Sequence, residues 1–141
     1  MQANLPEIIK YCQHQQITLT SQQELILAAV IAHQNPVTAN EILLKLKESN
    51  PKANRMTIHR GLEYLVKANL IHRVSFNLTY KLCNHLHHGH HCQILVCQSC
   101  GKQTELHSEA IQEALNTASK LCQFKISNPI EITGFCHNCQ T

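Results

Sequence analysis

Two Cys-x-x-Cys pairs, Cys97–Cys100 and Cys136–Cys139, constrain this chain more than any other feature. In a reducing compartment, such pairs are metal ligands rather than disulfides, and two of them surround one tetrahedral zinc. Each pair wraps the ion from a tight turn, with Gly101 and Gly134 easing the backbone nearby. A redox pair would need no partner at the far end of the chain. A closed four-sulfur site holds a fold together, and its ion contributes on the order of 10 kcal/mol of apparent folding free energy. The expectation is a structural zinc held by Cys97, Cys100, Cys136 and Cys139.

The first pair sits in an unusual neighbourhood. Between Cys83 and Glu105 lie five of the chain's eleven histidines and four of its eight cysteines. Imidazole nitrogen, thiolate sulfur and carboxylate oxygen are the protein donors zinc accepts. Spacing alone does not single out which of these residues bind. A loose, solvated chelating run fits the bare pattern as well as a second defined site does.

Charge divides the chain. Residues 1–82 carry nine Lys/Arg against five Glu, or +4, and residues 83–141 carry three against four, or −1. A basic front half before a ligand-rich rear half points to two jobs in two domains. No apolar run approaches the roughly 20 residues needed to span a bilayer. The N-terminus lacks the basic and apolar regions of a signal peptide, so a cytoplasmic location is expected.

The front half reads as short helices followed by a hairpin. Residues 4–16 carry an apolar stripe of Leu5, Ile8, Ile9 and Cys12. Ser21 to Glu24 reads as a capping box for a second helix, with Ile26, Ala29, Val30 and His33 on one face. Thr38 to Glu41 reads as another, ahead of Ile42, Leu43 and Leu46. Asn54 should cap a fourth helix reaching about Ala68, with Ile58, Leu62, Leu65 and Val66 inward. His59, Arg60, Glu63, Tyr64 and Lys67 face out, and Asn69 suits a left-handed stop. Residues 70–75 and 78–82 then read as a hairpin turning at Phe76-Asn77. This is the order of a winged helix-turn-helix, whose last helix enters a DNA major groove. In the rear half, strands are expected at 93–96, 103–106, 124–127 and 130–133, with a helix at 108–121. Cys12, Cys92 and Cys122 read as small buried apolar residues.

From Leu19 to Cys139 the chain resembles the ferric-uptake-regulator family, and most of all its zinc-sensing branch. The resemblance is carried by Thr57-x-x-Arg60-x-Leu62-x-x-Leu65, Tyr80-x-Leu82-Cys83, the histidine run and Cys97-x-x-Cys100-Gly101. Glu105 and Gly134-x-Cys136-x-x-Cys139 also match. It implies an α+β chain: a winged-helix DNA-binding domain over 1–82, a hinge and metal-ligand loop over 83–91, and an α/β dimerisation domain over 92–141. It also implies a regulatory zinc on His72, Cys83, His90 and Glu105, hence two zinc ions per chain. His85, His87, His88 and His107 are reserve ligands. A thiolate in that shell favours zinc over iron.

The sequence departs from the family pattern in places. His59 stands where relatives carry a base-contacting tyrosine, and Gln23 where the motif continues with arginine. A further metal site of many relatives maps onto Gln93, Gln112 and Asn128, so His91 is not expected to complete one here. What the resemblance implies is a homodimeric, zinc-responsive repressor of zinc uptake genes, acting on AT-rich, pseudo-palindromic operators. Thr57, His59, Arg60 and Tyr64 are the expected DNA-facing residues. An iron, manganese or peroxide sensor of the same family is the alternative. A zinc hydrolase based on Glu105 is disfavoured, because no His-Glu-x-x-His is present and Cys83 would fill the open metal position that catalysis needs. A metal store built on the histidine run would bind ions without touching DNA.

Overall fold

The computed structural model describes residues 3–33, 36–86, 92–127 and 129–140, and divides into two compact units, Met1–Asn84 and His85–Thr141. The front unit runs α1 (Leu5–His14), α2 (Ser21–Ala32), β1 (Val37–Thr38), α3 (Ala39–Lys47), α4 (Arg55–Lys67), β2 (Ile71–Val74) and β3 (Thr79–Leu82). The rear unit runs β4 (Gln93–Cys97), β5 (Gln103–Leu106), α5 (Glu109–Leu121) and β6 (Ile130–Gly134), ending in a 3-10 turn, His137–Cys139. The architecture is the expected α+β one, a winged helix-turn-helix followed by a small α/β unit carrying a four-cysteine cluster.

The helix starts follow side-chain chemistry. Asn4 caps α1 in a complete box with Glu7. The box on α2 lies one residue earlier than the sequence suggests. Thr20 Oγ1 accepts from the Gln23 N–H at 3.2 Å, and Gln23 Oε1 accepts from the Thr20 N–H at 2.8 Å. Both frames satisfy the S/T-x-x-E/Q pattern, and the earlier one adds a residue to the helix. Thr38 caps α3 by accepting from the Glu41 N–H, but its hydroxyl rather than its backbone meets the Glu41 carboxylate, at 3.1 Å. Thr38 also serves as a strand residue opposite Thr79, a pairing too short to show in the sequence.

Asn54 caps α4 as expected, and Asn69 leaves it at a φ of 60°. The buried face is Ile58, Gly61, Leu62 and Leu65; Val66 is only half-buried. Gly61 takes the inward place because α2 passes directly over it, and an added Cβ would collide with the Ile26 side chain. Ile26 is fully buried and cannot swing into solvent. Gly61→Ala is therefore expected to cost about 1–3 kcal/mol through overpacking, read as a lower thermal midpoint with helix content retained. The hairpin β2–β3 joins β1 in a sheet of order β1-β3-β2, with His72 opposite Lys81.

In the rear unit β4 is central, antiparallel to β5 and parallel to β6. The expected strand at 124–127 does not form within the chain. The Phe124 N–H bonds back to the Ser119 carbonyl at 2.9 Å, closing the end of α5 instead. The core is small, centred on Cys92, Gln93, Ile94, Val96 and Cys97. Much of the expected apolar side of α5 stays at the surface: Ala114 and Ala118 are exposed, and Ile111 and Leu115 half-buried. Leu121 is 85% exposed, Phe124 67% and Phe135 56%. Among the described residues no helix is long and apolar enough to cross a membrane.

Candidate metal centre and nucleic-acid interface

Cys97 ends β4, Cys100 follows in the turn to β5, Cys136 precedes the 3-10 turn after β6, and Cys139 ends that turn. Because β4 and β6 run parallel, with Cys97 opposite Gly134, both pairs arrive at the same end of the sheet. Their four sulfurs lie within 4.8 Å of one another, and Cys100 and Cys136 are 3.7 Å apart. Zinc–sulfur bonds of about 2.3 Å in a tetrahedron set sulfurs about 3.8 Å apart, so this donor set fits zinc.

The electrostatics of the cluster agree. Backbone N–H groups of Cys100 and Cys136 donate to Cys97 Sγ at 3.5 and 3.4 Å and hold its thiol down at about 6. Ser99 bonds to Cys139 and favours its thiolate, but the sulfurs of Cys136 and Cys97 outweigh this and push Cys139 up to about 12. Without a cation the cluster resists a second thiolate. With one, the sulfurs become ligands and release their protons.

The residues expected to hold a regulatory ion divide between the units. In the front unit His72 on β2 and Cys83 after β3 are both buried, and a ring nitrogen of His72 lies within 4.8 Å of Cys83 Sγ. The Cys83 N–H donates to the Leu70 carbonyl at 3.0 Å, fixing it beside the hairpin. Tyr11 on α1 has its phenol pushed above the usual value by burial and then by the facing Cys83. In the rear unit Glu105 on β5 has a side chain only 2% exposed, and its Oε1 lies 2.9 Å from His85 Nδ1. His90 lies outside the described residues, as do His87, His88 and His91.

The positions of the further metal site carry neutral amides. Gln93 bridges both backbone groups of Ser108, accepting from its N–H at 2.9 Å and donating to its carbonyl at 3.5 Å. Ser108 in turn caps α5. Gln112 donates to Asn116 at 3.0 Å. Asn128 lies outside the described residues. Of the other cysteines, Cys12 and Cys92 are buried as expected, whereas Cys122 is exposed. It follows the last turn of α5, beyond the small rear core.

On α4 the outward residues are not equivalent. His59 and Arg60 are exposed. Thr57 is tied to the helix cap, its hydroxyl donating to Asn54 Oδ1 at 3.0 Å. Tyr64 donates its hydroxyl to the Thr18 carbonyl at 2.6 Å, anchoring the segment between α1 and α2. Tyr64→Phe is expected to lower stability by about 1 kcal/mol, measured in a urea titration. A groove of about 430 Å³ among the starts of α3 and α4 and the hairpin is lined by Asn40, Arg55, His59 and Arg73. Sequence reasoning passed over Arg55 and Arg73. Arg73 is the only exposed position of β2, the break in its otherwise buried pattern.

This arrangement matches known proteins. The model of the ferric uptake regulator family covers residues 14–132. The chain belongs to the ferric uptake regulator family. That family consists of transcriptional regulators, not enzymes, so the chain is a metalloregulator of transcription. Among its members, the chain is 26% identical over 137 residues to the zinc uptake regulation protein of Escherichia coli (strain K12), covering 96% of this chain and 80% of that protein. It is 24% identical over 148 residues to the ferric uptake regulation protein of Bacillus subtilis (strain 168), covering 99% and 96%. Its structure resembles that of a zinc uptake regulator complexed with zinc and DNA, at a TM-score of 0.83 and 26% identity over 95% of this chain and 91% of the other.

Proposed function

We propose that this ferric uptake regulator family member is a zinc-responsive repressor of zinc uptake genes, acting as a homodimer. The likeness to the regulator complexed with zinc and DNA carries this reading. The ligand chemistry supports it: a thiolate at Cys83 suits zinc better than iron, whose sensors favour nitrogen and oxygen. One ion per chain is structural, held by Cys97, Cys100, Cys136 and Cys139. The second is exchangeable, with His72, Cys83, His90 and Glu105 as the set that the family pattern implies. Domains over 1–82 and 92–141, joined by a hinge over 83–91, fit this division of labour. Binding the exchangeable ion restricts the hinge, so less ordering entropy is lost when DNA is bound.

Arg60 and His59 reach base edges or phosphate, Arg55 and Arg73 add charge along the groove, and Thr57 and Tyr64 hold the helix in place. The exposed Leu121, Phe124 and Phe135 supply apolar surface for a second copy. Two recognition helices then sit roughly one DNA turn apart on a pseudo-palindromic, AT-rich site. A cytoplasmic location fits cysteines that serve as metal ligands rather than as disulfides.

The likeness to the Bacillus subtilis ferric regulator favours iron sensing as the second reading. Gel-shift titration in buffered zinc, iron and manganese, with metal counted per chain, separates the two. Two zinc ions, one removable, with tight DNA binding only when both are present, is the expected result. DNA binding that responds to iron and ignores zinc would overturn the reading.

A further inference from the structure

The tip of the β2–β3 hairpin carries two large apolar side chains that the core does not use. The strands pair as far as Val74 opposite Thr79, leaving Ser75, Phe76, Asn77 and Leu78 as the turn. Behind the tip Val74, Thr79 and Tyr80 are buried, whereas Phe76 is 48% and Leu78 59% exposed. Leu78 also stands at a φ of 53°. The other described non-glycine residues with positive φ are Gln16, Asn69 and Gln123. Each of those is an amide just past the end of a helix, where the left-handed region is ordinary. A leucine has no side-chain hydrogen bond to offset the crowding of its Cβ, and glycine or asparagine is favoured at such a turn position. An asparagine stands one residue earlier, but Asn77 Oδ1 accepts from the Thr79 hydroxyl at 2.7 Å and fixes the register. The chain thus holds a leucine in a strained backbone position with its side chain in solvent. Strain of this sort gathers where a ligand is met.

Leu78 and Asn77 line the same groove as Arg55, His59 and Arg73, so the tip stands beside the start of α4 with two arginines in the same groove. Those arginines make the groove a seat for a phosphate strand. In duplex DNA such a strand is what separates the major groove from the minor. With α4 in the major groove and one strand in the cleft, the tip beyond it meets the minor groove. We propose that Phe76 and Leu78 form an apolar wedge that presses into a base step of that minor groove and partly unstacks it. The proposal rests on the DNA-binding reading above and adds a second way of choosing sequence. Neither side chain can bond to base edges, so the wedge selects for ease of deformation, favouring TA and CA/TG steps over stiff ones.

The probe is a duplex that the full-length, zinc-loaded protein selects from a random-sequence pool, with 2-aminopurine placed at successive positions. This base brightens when unstacked, so the unaltered protein should raise its fluorescence at a discrete step. Phe76→Ser and Leu78→Gly should each abolish that rise and lower affinity about tenfold, the order expected for losing one wedge contact. Both should keep the parent's dependence on salt, because no phosphate contact is lost, whereas Arg73→Ala should flatten it. Leu78→Gly should melt no lower than the parent, since glycine relieves the turn; a merely structural leucine would lose stability and affinity together. If the variants do not fold, fluorescence with the unaltered protein decides the matter. Parental affinity in both variants, or no brightening at any position, would overturn the wedge and leave DNA binding by α4 standing. A protein that selects no duplex would remove the DNA-binding reading beneath it.

Discussion

Replacing Cys97 with serine is expected to unfold the rear unit and release the ion bound there. Cys97 occupies the last position of the central strand, and its N–H bonds to the Lys102 carbonyl at 2.9 Å. The next residue, Gln98, bonds to the Gly134 carbonyl at 2.8 Å, so the sheet and the metal turns share one corner. Cys97 is also the sulfur best prepared to be a thiolate, through the N–H groups of Cys100 and Cys136. The rear core is too small to compensate for losing it. Structural zinc supplies on the order of 10 kcal/mol, comparable with the whole stability of a small domain. Metal analysis should find the four-cysteine ion gone, and the cooperative thermal transition of the rear unit should be absent. A Cys97→Ser protein that melts like the parent, without that ion, would remove the structural role of the cluster.

Cys83→Ser should have the opposite profile, a folded protein that no longer responds to zinc. Cys83 is 1% exposed and a serine fits its space, so folding should survive. The hydroxyl is a poor ligand, and the exchangeable ion is lost while the four-sulfur ion stays. DNA affinity in excess zinc should fall to the metal-free level, a loss of about 5–150-fold if the coupling is of ordinary size. If Cys83 and His72 are ligands as proposed, zinc must displace the Cys83 proton and find His72 neutral. Affinity for the exchangeable ion should therefore weaken as pH falls, for both reasons at once. Unchanged zinc response in Cys83→Ser, measured by gel shift in buffered zinc, would exclude Cys83 from the site.

The front unit was legible because each of its helices is written locally. Asn54, the inward run from Ile58 to Leu65, and Asn69 fix α4 with no outside information. Gly61 was missed because a glycine carries no apolar signal, and only the passage of α2 over it gives it a role. The two-residue β1 was missed because a pairing that short has no alternation to read. The four-cysteine cluster was readable because doubled pairs have few other uses. The surroundings of Glu105 were not, since His85 meets it from 20 residues earlier in the chain and Cys92 stands just before the strand that pairs with β5, and no motif spacing marks either. The strand expected at 124–127 failed for a similar reason. Alternation at Phe124 and Lys125 supplies the pattern, but among the described residues no strand pairs with it, and Phe124 closes α5 instead.

The apolar end of α5 has a consequence for inheritance. With Leu121 and Phe124 so open on an isolated chain, newly made copies should combine indiscriminately with whatever sibling chains are present. A copy damaged only in its DNA-reading half would still combine, and would occupy one place in many of the assemblies formed. Such an allele should be dominant over the intact gene, whereas one damaged in Cys97 should be recessive, because its product never becomes competent to associate.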